Sequence, residues 1–223
     1  MTLELRGVSY RYAGARRPAI EAVDLAVADG EIVGLVGPND AGKTTTCLVA
    51  SGFAPVSIGG ELTGDVLLDG APLIVRAPWE LAGRTGLLLA DIATQRSGMT
   101  ATVFEEIAFG PVNLGLETTD TRERAGWAMA ALGVEALAER HPGHLSGGQA
   151  RLVAIASILA MRPRLLVLDE PIGELDEDGR DRLAGVVRDL ASGGTGVLVA
   201  EHDTDFLAAL GARIVGLRGG RLA

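Results

Sequence analysis

A chain of 223 residues and 23.0 kDa is one large domain, or one domain carrying an inserted lobe, and it can bury a sizeable core without disulfides or structural metals. Hydrophobic residues make up 48% and charged residues 22%, a globular balance that excludes intrinsic disorder. The net charge of −9 argues against binding nucleic acid or anionic lipid by bulk charge, but leaves room for a local anion site built from backbone N–H groups.

Segments 3–10, 19–27 and 31–37 read as short strands, with alternating or continuous apolar residues. A Gly-rich turn then leads into a helix from about 42 to 51, followed by short strands at 66–69 and 86–90, the latter expected to be buried. From about 100 to 161 the pattern turns helical. Beyond it, strands at 164–169, 195–202 and 213–217 alternate with helices starting near Asp178 and Thr204. Apolar strands alternating with helices predict an α/β fold with a mostly parallel sheet covered on both faces, and the central helices read as a lobe inserted into it. The single cysteine, Cys47, excludes an intramolecular disulfide and a CxxC metal site and fits a reducing compartment. The start MTLELRGVSYRY lacks the apolar region of a signal peptide. The apolar stretch 152–161 is well short of the roughly 18 residues that a membrane span needs. The expectation is a chain soluble by itself, with any membrane role exercised through a partner.

Three motifs carry chemistry. Gly37-Pro38-Asn39-Asp40-Ala41-Gly42-Lys43-Thr44 matches G-x-x-x-x-G-K-[ST] between a strand and a helix, the context in which backbone N–H groups cradle phosphates. Lys43 would reach the β/γ phosphates and the Thr44 hydroxyl would ligate Mg²⁺; the candidate site runs from Gly37 to Thr45. Of twenty basic residues Lys43 is the only lysine, which singles out this position. In RLLVLDEP (164–171) an apolar strand ends in Asp169 and Glu170, at the carboxyl edge where open α/β sheets bind ligands. Asp169 would hold the Mg²⁺ shell and Glu170 would orient and deprotonate an attacking water. In His144-Leu145-Ser146-Gly147-Gly148-Gln149, Ser146 and Gln149 have capping-box spacing ahead of an apolar helix. Such a helix start, with its two glycines, is also a second anion cradle.

With LSGGQ at 145–149 standing between the phosphate loop and LLVLDEP, the chain resembles the ATP-binding-cassette (ABC) ATPases over essentially its whole length. The resemblance implies a P-loop NTPase fold with a mostly parallel core sheet, an N-terminal antiparallel β subdomain and an inserted helical subdomain. The single ABC ATPase domain would span 1–223, with 1–90 and 162–223 forming the nucleotide-binding core and about 91–161 the helical part. It also implies ATP and Mg²⁺ as cofactors and a head-to-tail dimer, in which Ser146, Gly147, Gly148 and Gln149 of one cassette close over ATP held by the other. By the same resemblance Tyr12, rather than Tyr10, stacks on adenine and Glu170 is the catalytic base. His202 is the switch that contacts the γ-phosphate, and Leu175-Asp176 lies in a loop touching the opposite cassette.

Two residues depart from the family pattern. Asp40 stands where glycine is usual; Asp tolerates a left-handed backbone, but its carboxylate should weaken phosphate affinity. Ala90 stands where a metal-contacting glutamine is usual, and Gln95 is either a shifted substitute or a second glutamine found downstream in related importers. EEIAFGPVNLGL (105–116) and the EHD around His202 resemble the ATPases of energy-coupling factor (ECF) importers, which take vitamins or transition-metal ions into prokaryotic cells. That resemblance implies a second cassette, like or unlike, and an integral-membrane partner. It also implies a place at the cytoplasmic face of the membrane, and no nucleic acid. ECF ATPases commonly continue past the point where this chain stops, at GLRGGRLA (216–223). A short form, a truncation and one half of a tandem protein are all compatible with that end. The alternative reading is a nucleotide-gated regulator outside transport, or a largely inactive ATP-binding subunit of a heterodimer, which Ala90 and Asp40 favour.

Overall fold

The computed structural model describes residues 2–73 and 78–223. Strands β1 (Leu3–Arg11), β2 (Ile20–Val27), β4 (Glu61–Leu68) and β5 (Ala71–Pro72) form an antiparallel sheet in the order β2-β1-β4-β5. Strands β3 (Ile32–Val36), β6 (Thr85–Leu88), β7 (Leu165–Asp169), β8 (Gly196–Ala200), β9 (Arg213–Arg218) and β10 (Arg221–Leu222) form a second sheet, in the order β10-β9-β3-β8-β7-β6. That sheet is parallel except for the β9–β10 pair.

Pleating divides the parallel strands between two cores. Leu166, Leu168, Val197 and Val199 face one side. There they meet buried residues of α3 (Val103–Asn113), α4 (Thr118–Leu132), α5 (Gly147–Leu159), α6 (Glu177–Ser192) and α7 (Thr204–Ala209). Val33, Leu35, Leu165, Val167, Leu198 and Ala200 face the other, against α1 (Lys43–Ala50) and the antiparallel sheet. Every residue of β7 and β8 is buried, which is why both read as continuous apolar runs. Each fully buried Val or Leu contributes about 1.5–3 kcal/mol. A short helix, α2 (Pro78–Leu81), precedes β6.

The β4 strand begins five residues before the predicted 66–69, because 61–65 carry no buried alternation and are recruited by pairing with β1. The predicted buried strand 86–90 is instead the half-buried edge strand β6, ending at Leu88. Its outer side is completed by one side chain: Gln95 Nε2 donates to the Leu87 carbonyl at 2.7 Å, and Leu89 N–H donates to Gln95 Oε1 at 2.6 Å. The carboxamide stands in for the peptide of an absent neighbouring strand. Among the described residues no helix is long and apolar enough to cross a membrane.

Candidate active site

Register brings the chemistry to one edge. Leu35, Ala200 and Asp169 are paired across β3, β8 and β7, so the residues that follow each of them emerge side by side at the carboxyl ends of the strands. Those residues are the 37–42 loop, Glu201-His202 and Glu170. Two loop positions require glycine. A Cβ on Gly37 would lie 2.2 Å from the Leu217 carbonyl, and Gly42 has φ 102° with the Ala19 carbonyl 2.8 Å from where its Cβ would be. Asp40 adopts the left-handed conformation at φ 62°, as its residue type allows, with its side chain exposed. Lys43 is buried and folds back over the loop, its Nζ donating to the Gly37 and Pro38 carbonyls at 2.9 and 3.2 Å. An ammonium held only by carbonyls can exchange them for stronger anionic acceptors.

A cleft of about 780 Å³ is lined by the loop from Asn39 to Thr45 together with Tyr12, Glu170 and Gly219. The Tyr12 hydroxyl lies 3.1 Å from Thr45 Oγ1. Tyr10 is fully buried, its hydroxyl bonded to the Gly59 carbonyl, and packs edge-on against Tyr12 with ring centroids 4.9 Å apart. Of the two tyrosines, then, only Tyr12 faces the cleft. Asp169 lies beneath it, buried, with both carboxylate oxygens unpartnered. Burial raises its pKa above the ordinary carboxylate value; the nearby Thr44 hydroxyl and Lys43 oppose this, and Glu170 and Glu201 add to it. Among the described residues no three His, Cys, Asp or Glu side chains could hold a metal by themselves. The orphaned oxygens of Asp169 beside Thr44 are a partial donor set, of the kind that completes a hard cation's shell with water and phosphate oxygens.

The motifs of the sequence assign no role to Glu201. It is fully buried at the end of β8. Its Oε1 accepts from the His202 and Asp203 N–H groups at 2.7 and 3.3 Å and lies 2.8 Å from His202 Nδ1, while Oε2 has no partner. An Nδ1–H donated to Glu201 fixes the ring and presents Nε2 outward. The signal was available as a carboxylate closing the apolar run GVLVA. The His202 side chain is 75% exposed and stands at the same edge without lining the cleft.

Ser146, Gly147, Gly148 and Gln149 are elsewhere. They line a different cleft of about 640 Å³, with Leu175, Asp176 and Arg182. The capping box is formed: Gln149 N–H donates to Ser146 Oγ at 3.4 Å and Ser146 N–H to Gln149 Oε1 at 3.2 Å. Leu175 is buried, whereas Asp176 is exposed and caps α6 by accepting from Gly179 N–H at 2.8 Å. One chain therefore presents a phosphate-loop cleft and a signature cleft that share no residue.

The family profile described as ABC transporter matches residues 20–173. A cobalt import ATP-binding protein of Rhodobacter capsulatus is 38% identical over 225 residues, covering 99% of this chain and 76% of that protein. Among solved structures, the cbiO1 protein of Clostridium perfringens, part of an ABC transporter complex, superposes with a TM-score of 0.82 at 26% identity. That match covers 100% of this chain and 86% of the other. A bacterial ABC transporter cassette solved as a dimer gives a TM-score of 0.83 at 25% identity, covering 99% and 96%. Matched in sequence from the start of β2 to the segment after Glu170, and in fold throughout, the chain belongs to the ABC transporter family, as one of its ATP-hydrolysing cassettes.

Proposed function

We propose that this chain is the ATP-binding and hydrolysing subunit of an ECF-type importer, powering uptake of a vitamin or metal ion from the cytoplasmic face of a membrane. The observation that carries the catalytic reading is that Lys43, Thr44 and Glu170 line one cleft above Asp169. The importer reading is supported by the relative named for cobalt import and by the ECF-like segment 105–116. A second cassette and an integral-membrane subunit are its partners.

In this reading the loop N–H groups and Lys43 bind the phosphates, and Tyr12 stacks on the adenine ring. Glu170 accepts a proton from the water that attacks the terminal phosphorus, and His202, oriented by Glu201, contacts the terminal phosphoryl group. Thr44 and Asp169 would hold Mg²⁺, which when bound offsets the charge of the phosphates. Since the signature residues 146–149 line a separate cleft, a second cassette supplies them to each ATP.

Glu170→Gln removes the proton acceptor while keeping its shape. Turnover should fall about 10²–10⁴-fold while the Mg-ATP-bound chain accumulates as a dimer in analytical ultracentrifugation. Wild-type turnover in that variant would refute the assignment.

A further inference from the structure

Arg151, two residues beyond the signature Gln149 and inside the first turns of α5, is buried at 5% exposure. Its Nη1 donates to the Glu170 carbonyl at 2.9 Å and its Nη2 to the Ala90 carbonyl at 3.0 Å. Among the described residues it forms no ion pair, and its Nε is buried without a partner. A buried cation answered by two carbonyls is a costly way to glue a helix to a sheet. What it holds explains its presence. Glu170 has φ 50°, a left-handed conformation that a residue with a long side chain keeps only when its surroundings over-determine it. The Glu170 N–H is fixed by the Ala200 carbonyl at 2.9 Å, and Arg151 fixes the opposite side of the same residue. The second bond reaches Ala90 through its main chain, so it does not depend on the side chain at that position.

We infer that Arg151 is a positioning residue. It holds the Glu170 backbone in its strained conformation, and through the Ala90 carbonyl it ties the signature helix to the segment leaving β6. This rests on Glu170 acting as the base, and the two can fail separately.

The experiment compares Mg-ATP turnover and the binding of a fluorescent ATP analogue in the full chain for wild type, Glu170→Gln, Arg151→Met and Arg151→Lys. Arg151→Met should lower kcat roughly 10–100-fold, the scale of a small misplacement of a catalytic group, with ATP affinity within about twofold. Arg151→Lys, whose ammonium can keep one of the two bonds, should recover part of the loss. Hydrogen exchange of the Glu170, Ile172 and Gly173 amides should quicken in Arg151→Met. A folded Arg151→Met protein with kcat within twofold of wild type overturns the inference, as does a loss of turnover matched by an equal loss of ATP affinity. Should Arg151→Met not fold, Arg151→Lys decides: a several-fold fall in kcat at unchanged affinity and melting temperature supports the inference, and unchanged kcat refutes it. Retained turnover in Glu170→Gln would instead remove the base itself, whatever the Arg151 variants do.

Discussion

Asp169 sits at the end of a fully buried strand with both oxygens unpartnered, and burial holds its folded pKa above the unfolded value. The sign of its effect on stability follows. Below the unfolded carboxyl pKa both states are protonated and nothing is lost. As pH rises through that value toward the folded one, the unfolded chain releases its proton first and stability falls; the penalty is complete above the folded pKa. Asp169→Asn, which removes the titrating carboxyl, should therefore raise the melting temperature of the nucleotide-free chain at pH 7 and flatten the decline above about pH 4. Calorimetry across pH checks this, and a variant no more stable than wild type at pH 7 would contradict it. Tyr12 shows what a residue type leaves open. Both tyrosines lie on or just beyond one strand, and only packing shows that Tyr10 belongs to the core while Tyr12 borders the cleft.

At the scale of elements, β6 is where the sequence misled and the structure explains why. An apolar run GLLLA reads as a buried strand because periodicity reports burial and not sheet order. Its edge position comes from the path of the chain, and its free side is closed by Gln95. The same contacts commit both ends of the Gln95 carboxamide to the β6 backbone. Gln95→Ala should expose two backbone groups, cost about 1 kcal/mol and accelerate hydrogen exchange at Leu89 N–H, leaving β7 unaffected. Unchanged protection at Leu89 would show that the clasp contributes nothing. The segment that follows is tied down by Glu106 of α3, which accepts from Ser97 N–H and Ser97 Oγ at 2.6 Å each. Burial alone would raise the Glu106 pKa, but these bonds and that from Thr100 outweigh it and lower it. Its stabilising effect is thus present above the ordinary carboxyl pKa and is lost as pH falls through the depressed value.

For the whole molecule, the separation of the phosphate-loop cleft from the signature cleft makes dimerisation the step that would assemble a complete site. Each chain carries a net charge of −9, so two copies repel at long range when the Debye length is about 30 Å at 0.01 M salt, and far less when it is about 8 Å at 0.15 M. The Mg-ATP-bound Glu170→Gln chain should dimerise several-fold more tightly at 0.15 M than at 0.01 M, measured by sedimentation. Weakening with salt would mean that complementary charge at the interface outweighs the net repulsion.

By itself the sequence determined the phosphate loop, the acidic end of β7, the capped signature helix and the α/β class. Each of these is local: a glycine spacing, a capping box, an apolar run ended by carboxylates, all set by residues within a few positions of one another. Only the tertiary structure decided that Ala200, Leu35 and Asp169 share a register, that Glu201 is buried against His202, that Gln95 closes a sheet edge, and that Arg151 spans 61 residues to Ala90 and 19 to Glu170. Those pairings depend on strand order and on which buried polar atoms find partners across the fold, and local pattern carries no record of either.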